Sequence, residues 1–376
     1  MGDDRSMERV YKTYKGLLPD RVPVQDLIAN IGVLEYYGSE KINSKNARKV
    51  TIRALKEILD ISQCEISIPE NLESTIHKSE DGFLYKGEWW TQTIIERPFK
   101  TLKELEKLVN NDIDKIYGSI AEGKICEQAT LSSTLRSKID LPLTPSYLKQ
   151  LYRDLADELY PTVLILSIIV PCLTTAYVRA GLDFFSYLYK DNKELVSRWL
   201  EAITVHEIFR IEGMADSSIS RIVIAADDVA FNSGLMFPKS FLNEEFFPRL
   251  KRINNTLKIK GYIIIFHSDG DKRAIIPELI SPGIDAINPI EVDANMWVGD
   301  LRKEYPDLVL TTIDANTLLA RGTAEEVKCT VMKAFNEAGE GGKLTLGSSL
   351  QVQPACKPEN AIVMYETIKH NCRYDI

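Results

Sequence analysis

Five times in this chain a run of apolar residues stops at side chains that can carry a proton or hold a cation. Arg221 to Ala226 gives way to Asp227 and Asp228, and Tyr262 to Phe266 to His267, Ser268, Asp269 and Gly270. Ile284 to Ile287 runs into Asn288, Pro289 and Glu291, and Leu308 to Ile313 into Asp314. Leu344 to Leu346 leads to Gly347, Ser348 and Ser349. An imidazole among carboxylates suits two kinds of chemistry. His267 and Asp269, with Asp228 or Glu291, can bind a metal such as zinc through nitrogen and oxygen. The same His267 and Asp269 can instead act without metal, as an acid–base or hydrogen-bonding pair. Asp227, Asn288, Glu291 and Asp314 are candidates for holding substrate. One polar strand end is expected wherever a strand must turn. Five in succession, converging on one rim, point to an active site.

The elements that would position these groups follow a rhythm. Tyr262 to Ile265 is rich in β-branched side chains and too short for a buried helix, so it reads as a strand buried on both faces. From residue 150 onward such strands alternate with helical spacing. Thr162 to Val170 follows a helix at 146–159, and helices through 181–208 precede the strand to Ala226. Helices at 240–258, 272–280 and 323–338, and a last one from Pro358, separate or follow the remaining strands. Thr323 with Glu326 makes a capping box at the third of these. Six β-then-α units predict a parallel sheet. Strand candidates at Val22 to Val24 and Cys64 to Ile68 bring the count to eight, that of a closed (β/α)8 TIM barrel. The front of the chain is less regular. Helices at 1–18, 47–60 and 101–120 surround an irregular aromatic stretch between about 75 and 98. It reads as an elaborated N-terminal region within one domain spanning 1–376.

Composition removes several function classes. A net charge of −8, without basic runs interleaved with aromatics, argues against nucleic acid as a partner. The longest apolar run, Val163 to Val170, is too short to span a bilayer. MGDDRSMERV has no apolar core, so no signal peptide is expected, and its formal fit to a myristoylation pattern reads as chance beside Asp3 and Asp4. Six scattered cysteines form neither a disulfide framework nor a zinc finger. The expectation is a reduced, cytoplasmic protein acting on a small molecule. His77, His206 and His370 sit at no strand end and read as surface or structural histidines.

Beyond these patterns, PDRVPV (19–24), ADDVAFNSGLMFPKSF (226–241), HSDG (267–270), GIDAINPIE (283–291), GTAEEV (322–327), LGSSLQVQP (346–354) and PENAIVMYETI (358–368) carry a resemblance. With them the chain resembles the uroporphyrinogen decarboxylase superfamily over essentially its whole length. That superfamily also includes methylcobalamin:thiol methyltransferases and corrinoid methyltransferases of the O-demethylase type. The resemblance implies the eight-stranded α/β barrel already reached from the rhythm, and a homodimer.

Departures from the family patterns narrow the implied activity. Decarboxylases proper carry an MRQAGR segment whose arginines hold the porphyrinogen's carboxylates. Here the corresponding stretch reads QDLIANIG (25–32), with no arginine until Arg48. PCLTTAYVRAG (171–181) keeps the decarboxylase spacing and places Tyr177 at that family's catalytic tyrosine; a core tyrosine on a helix is the alternative. The family's LGHG histidine is replaced by Ser348. Thiol methyltransferases bind zinc through His-x-Cys on the strand of His267 and a cysteine after the last strand. Asp269 and Ser348 stand at those cysteine positions, and Cys356 comes eight residues too late. What remains is similar to the oxygen-rich sites of the O-demethylase-type members. The leading expectation is therefore a methyltransferase moving a methyl group between a small methylated donor and a corrinoid carried by a partner protein. Asp228, Tyr177, His267, Asp269 and Ser348 form its catalytic set, and the aromatic segment 83–99 covers the barrel mouth. A cofactor-free decarboxylase using Tyr177 and Asp228 is the first alternative, and a ligand-binding barrel without turnover the second.

Overall fold

The computed structural model describes residues 5–63, 66–129, 143–169, 172–313, 316–348 and 351–375. Its centre is a barrel of eight parallel strands paired in sequence order. These are β1 (Gln25–Asp26), β2 (Ile61–Gln63), β3 (Val163–Ile169), β4 (Ile222–Ala226), β5 (Ile263–His267), β6 (Ala286–Asn288), β7 (Val309–Thr311) and β8 (Leu344–Thr345). Helices alternate with them along the chain, as expected when parallel strands need crossovers. First and last strands meet at a bridge between Val24 and Leu346. There Gln25 N donates to the Leu346 carbonyl at 2.9 Å, and Leu346 N to the Pro23 carbonyl at 3.1 Å.

Strand periodicity decides what faces the lumen. Ile61, Val163, Ile165, Ile222, Ile224, Ile265, Ala286 and Val309 form one buried apolar cluster inside the barrel. Residues of opposite parity, such as Val223, Ile264 and Phe266, pack outward in the larger core. His267 continues the parity of Ile263 and Ile265, and its neighbour in register, Asn288, continues that of Ala286. Both side chains therefore stand over the lumen where the strands end.

The opposite mouth is sealed. Helix Ser6–Tyr14 places Val10 and Tyr14 in the lumen cluster. The Tyr14 hydroxyl donates to Gln25 Oε1 at 3.0 Å, which also accepts from Thr345 Oγ1 at 3.0 Å. Below it, buried Asp60 accepts from Arg9 Nη1 at 2.6 Å, Arg21 Nη1 at 2.6 Å and Val24 N at 2.8 Å. The buried ion pairs there serve stability; chemistry belongs at the other rim.

The second half follows the rhythm of the sequence, and both capping boxes, Thr101 with Glu104 and Thr323 with Glu326, are formed. The front part needs three corrections. The first barrel strand is Gln25–Asp26, not Val22 to Val24, of which Val24 makes only an isolated bridge to Leu346. The second barrel strand is Ile61–Gln63, not Cys64 to Ile68, of which Cys64 lies outside the described residues. The strand starts directly after Asp60, a residue that reads as polar until its buried ion pairs are seen. The aromatic stretch is not irregular either: Thr75–Lys78, Leu84–Gly87 and Gln92–Glu96 form an antiparallel sheet. Its first strand is exposed throughout, so no apolar alternation betrays it. Buried Arg179 anchors this sheet, reaching Asp81 at its first turn (2.8 Å) and Asp112 in helix Leu102–Ala121 (2.8 Å). His206 is buried and accepts from Cys126 N at 2.9 Å, whereas His370 is exposed beside Glu366. The described cysteines, Cys126, Cys172, Cys329, Cys356 and Cys372, are all free. Among the described residues no helix is long and apolar enough to cross a membrane.

Candidate functional site

At the end of β5 the His267 ring is buried, with Nδ1 2.5 Å from Asn288 Oδ1. The Asn288 amide nitrogen donates to Thr312 Oγ1 at 2.8 Å, which turns the amide oxygen toward the ring. Nδ1 therefore carries the hydrogen and donates it, and Nε2 presents a lone pair. That lone pair faces Asp269 Oδ1 at 3.6 Å and Asp228 Oδ1 at 4.0 Å. These separations exceed hydrogen-bond reach. A lone pair aimed at two carboxylates is repulsive unless a proton or a cation sits among them. One ligand atom from each of Asp228, His267 and Asp269 lies within 4.8 Å of the others. Donors sharing one ion at bond lengths of ~2.0–2.2 Å stand roughly 3–3.5 Å apart, so closing in by less than about 1.5 Å satisfies a divalent ion. The residues fit such an ion.

The frame around the three is specific. Asp269 N donates to Asp228 Oδ1 at 2.9 Å, tying the loops after β4 and β5 together. Asp228 N donates to Thr174 Oγ1 at 2.7 Å. Thr312, which orients Asn288, sits at φ +54°, a conformation that a β-branched residue adopts only under constraint. Glu291 accepts a hydrogen bond from Gly270 N, joining the loops after β5 and β6. Beneath them lies Lys272, fully buried, with Nζ donating to the carbonyls of Ser268 at 2.7 Å and Pro289 at 2.7 Å. Burial pulls the Lys272 ammonium down to about 8, opposed by the charges of Glu291, Asp269 and Asp228.

The remaining candidates take different places. Asp227 is buried and accepts from Cys172 N (3.1 Å), Leu173 N (3.0 Å) and Thr174 Oγ1 (2.6 Å). It thereby caps helix Leu173–Ala180 at its positive end, and burial, against those donors, pushes it up to about 6. Tyr177, on that helix, lies 3.5 Å from Thr174 Oγ1. Burial first, then the charge of Asp228, push its phenol up, so it remains a protonated donor. Ser348 is three strands away from His267, and its Oγ donates to Asp26 at 2.6 Å. Asp26 also accepts from Tyr365 at 2.9 Å and from Ser348 N at 2.7 Å, which fastens the barrel seam. Asp314 and Ser349 lie outside the described residues. Cys356 is buried with Sγ 3.6 Å from Asn316 Oδ1.

The sequence reading did not single out Lys272 or Thr312. Lys272 sits in DKR, a charge run that reads as surface. Asn288→Ala tests the orienting bond. It removes the acceptor at Nδ1, and cation affinity is expected to fall about 10–100-fold in a zinc titration against a competing chelator, with a loss of stability of about 1–3 kcal/mol for the buried partners left behind.

Eight parallel strands carrying an imidazole and carboxylates at their C-terminal rim define an α/β-barrel scaffold of the enzyme type. The family model for uroporphyrinogen decarboxylase (URO-D) matches residues 129–371, and the chain belongs to that family. Among solved structures, a methyltransferase from Methanosarcina mazei superposes with a TM-score of 0.64 at 14% identity, covering 97% of this chain and 98% of its own. At that identity the likeness is one of fold. Dispersin B aligns over 73% of this chain and 96% of its own at 12% identity, with a TM-score of 0.36 too low to bear on function. No curated protein matches the chain.

Proposed function

We propose that this protein is a methyltransferase that takes a methyl group from a small, oxygen-linked donor, with a divalent cation, zinc in the first instance, held by Asp228, His267 and Asp269. The orientation of His267 carries the reading. Its Nδ1 is fixed by Asn288 so that Nε2 points between two carboxylates. When bound, the cation supplies a Lewis acid for the donor oxygen. Asn288 and Thr312 hold the imidazole in the tautomer that can ligate, and Asp269 N fixes the Asp228 carboxylate. In this reading Tyr177, whose phenol burial and then the charge of Asp228 push up, donates to oxygen as the carbon–oxygen bond breaks and the electron pair stays on oxygen. The acceptor in this reading is the reduced corrinoid of a partner protein. That assignment rests on the family resemblance alone; the methyltransferase named among the fold neighbours supports methyl transfer in general and not the acceptor. A homodimer and a cytoplasmic setting belong to the same reading.

Two arginines near the N-terminal sheet are committed within the protein. Arg179 is engaged by Asp112 and Asp81, and Arg97 donates to the carbonyls of Val178 and Arg179. Neither is offered to an anionic substrate. Decarboxylation of a smaller, less anionic substrate is the second reading, supported by the charge interaction between Tyr177 and Asp228. Incubation with methyl ethers and cob(I)alamin separates the two. Methylcobalamin absorbance is expected from wild type and a loss of about 10³-fold from His267→Ala, the worth of several kcal/mol of Lewis-acid stabilisation. Carbon dioxide release from a carboxylated substrate, unaffected by chelators, would replace methyl transfer with decarboxylation.

A further inference from the structure

Asp227 and Asp228 are neighbours in sequence, yet one carboxylate caps helix Leu173–Ala180 and the other turns toward His267. What separates them is a hydroxyl from another part of the chain. Thr174 Oγ1, near the start of that helix, lies 2.6 Å from Asp227 Oδ1 and 2.7 Å from Asp228 N. The roles at this hydroxyl are fixed, because a backbone N–H only donates and a carboxylate only accepts. Asp227 acts as an acceptor throughout, taking hydrogen bonds from the backbone nitrogens of Cys172, Leu173 and Thr174 as well. The single hydrogen of Thr174 therefore goes to Asp227, and a lone pair takes the hydrogen of Asp228 N. The Tyr177 hydroxyl, at 3.5 Å, is beyond the usual reach of an O–H···O bond. At its other end Asp228 accepts from Asp269 N at 2.9 Å. Asp228 is thus held at its backbone by the helix after β3 and at its carboxylate by the loop after β5.

We propose that Thr174 is a positioning residue, whose hydroxyl, oriented by Asp227, aims the Asp228 carboxylate at the cation site. The inference rests on the cation site of the proposed function and extends its frame to the helix after β3. With valine at this position Asp228 N would face a methyl group, and the turn would lose the contact that parts the two aspartates. Supports of this kind around a metal ligand are worth about 10–100-fold in affinity. A merely structural role would be felt whatever side chain stands at position 228. A positioning role disappears with the carboxylate it aims, and a double-mutant cycle reads that difference.

The experiment titrates the full chain with Zn²⁺ against a competing chelator, with far-ultraviolet circular dichroism following the fold. Thr174→Val is expected to lower affinity about tenfold or more, while Thr174→Ser, which keeps the hydroxyl, stays within about threefold of wild type. Thr175→Val removes the neighbouring buried hydroxyl, which has no hydrogen-bond partner, and is expected to leave affinity unchanged. In an Asp228→Ala background, Thr174→Val is expected to change the remaining affinity by about twofold at most. Thr174→Ala removes the same hydroxyl and replaces Thr174→Val should that variant fold poorly. Unchanged affinity in the folded variant, failure of Thr174→Ser to restore it, or an equal loss with and without the Asp228 carboxylate overturns the inference and leaves the cation site standing. A wild-type chain that binds no Zn²⁺ overturns both.

Discussion

Gly347→Ala is expected to destabilise the barrel by about 3 kcal/mol or more, the upper end of what overpacking a core position costs. A Cβ at Gly347 would lie 1.9 Å from the Gln25 carbonyl oxygen and 3.1 Å from Asp26 Oδ2. Those atoms are backbone and a fastened carboxylate, so neither can step aside as a flexible side chain would. The clash falls on the seam where Gln25 N, Leu346 N and Ser348 N hold the first and last strands together. Thermal unfolding checks it, with Gly118→Ala as the control. Gly118 lies inside helix Leu102–Ala121, where a Cβ meets nothing within 4 Å, so that change should stabilise by ~0.5–1 kcal/mol.

Gly270→Ala is expected to abolish cation binding, by 100-fold or more, in a barrel that still folds. Gly270 has φ +81°, and an added Cβ would stand 2.6 Å from the Ala230 carbonyl, in the hairpin of Ala230–Phe231 with Gly234–Leu235. The loop must rotate or retreat, and Asp269 moves with it. Gly270 N also loses its alignment with Glu291. Disturbing what orients a metal ligand costs about 10–100-fold in affinity, and here the ligand's own backbone moves. Isothermal titration with Zn²⁺ beside far-ultraviolet circular dichroism reads both halves of the prediction. Unchanged binding would mean that Asp269 is not a ligand.

The parts of this molecule legible in its sequence share a physical cause. Strands buried on both faces are continuous apolar runs, so β4 and β5 stand out, and the polar residues closing them mark the rim. His267, Asp228 and Asp269 could be found that way because local strand endings, not long-range contacts, place them. Other roles depend on partners far along the chain. Ser348 reads as an available hydroxyl until Asp26, more than three hundred positions earlier, is seen to accept its hydrogen bond. Asp227 is adjacent to Asp228 yet points to the start of helix Leu173–Ala180, because successive residues past a strand end need not face the same way. Lys272 is hidden for the opposite reason: its spacing and neighbours are those of a solvated charge, and only the fold covers it. The sheet at 75–96 escaped because its first strand is exposed throughout and carries no alternation.

The most direct test of the central claim is the metal content of protein purified without chelator or affinity tag, measured by mass spectrometry for wild type and His267→Ala. The site described predicts one divalent ion per chain in wild type, zinc first among the candidates, and its loss in the variant with the fold retained. Wild type free of metal after growth and dialysis in zinc-supplemented buffer, or an ion that persists in His267→Ala, would contradict a cation held by Asp228, His267 and Asp269.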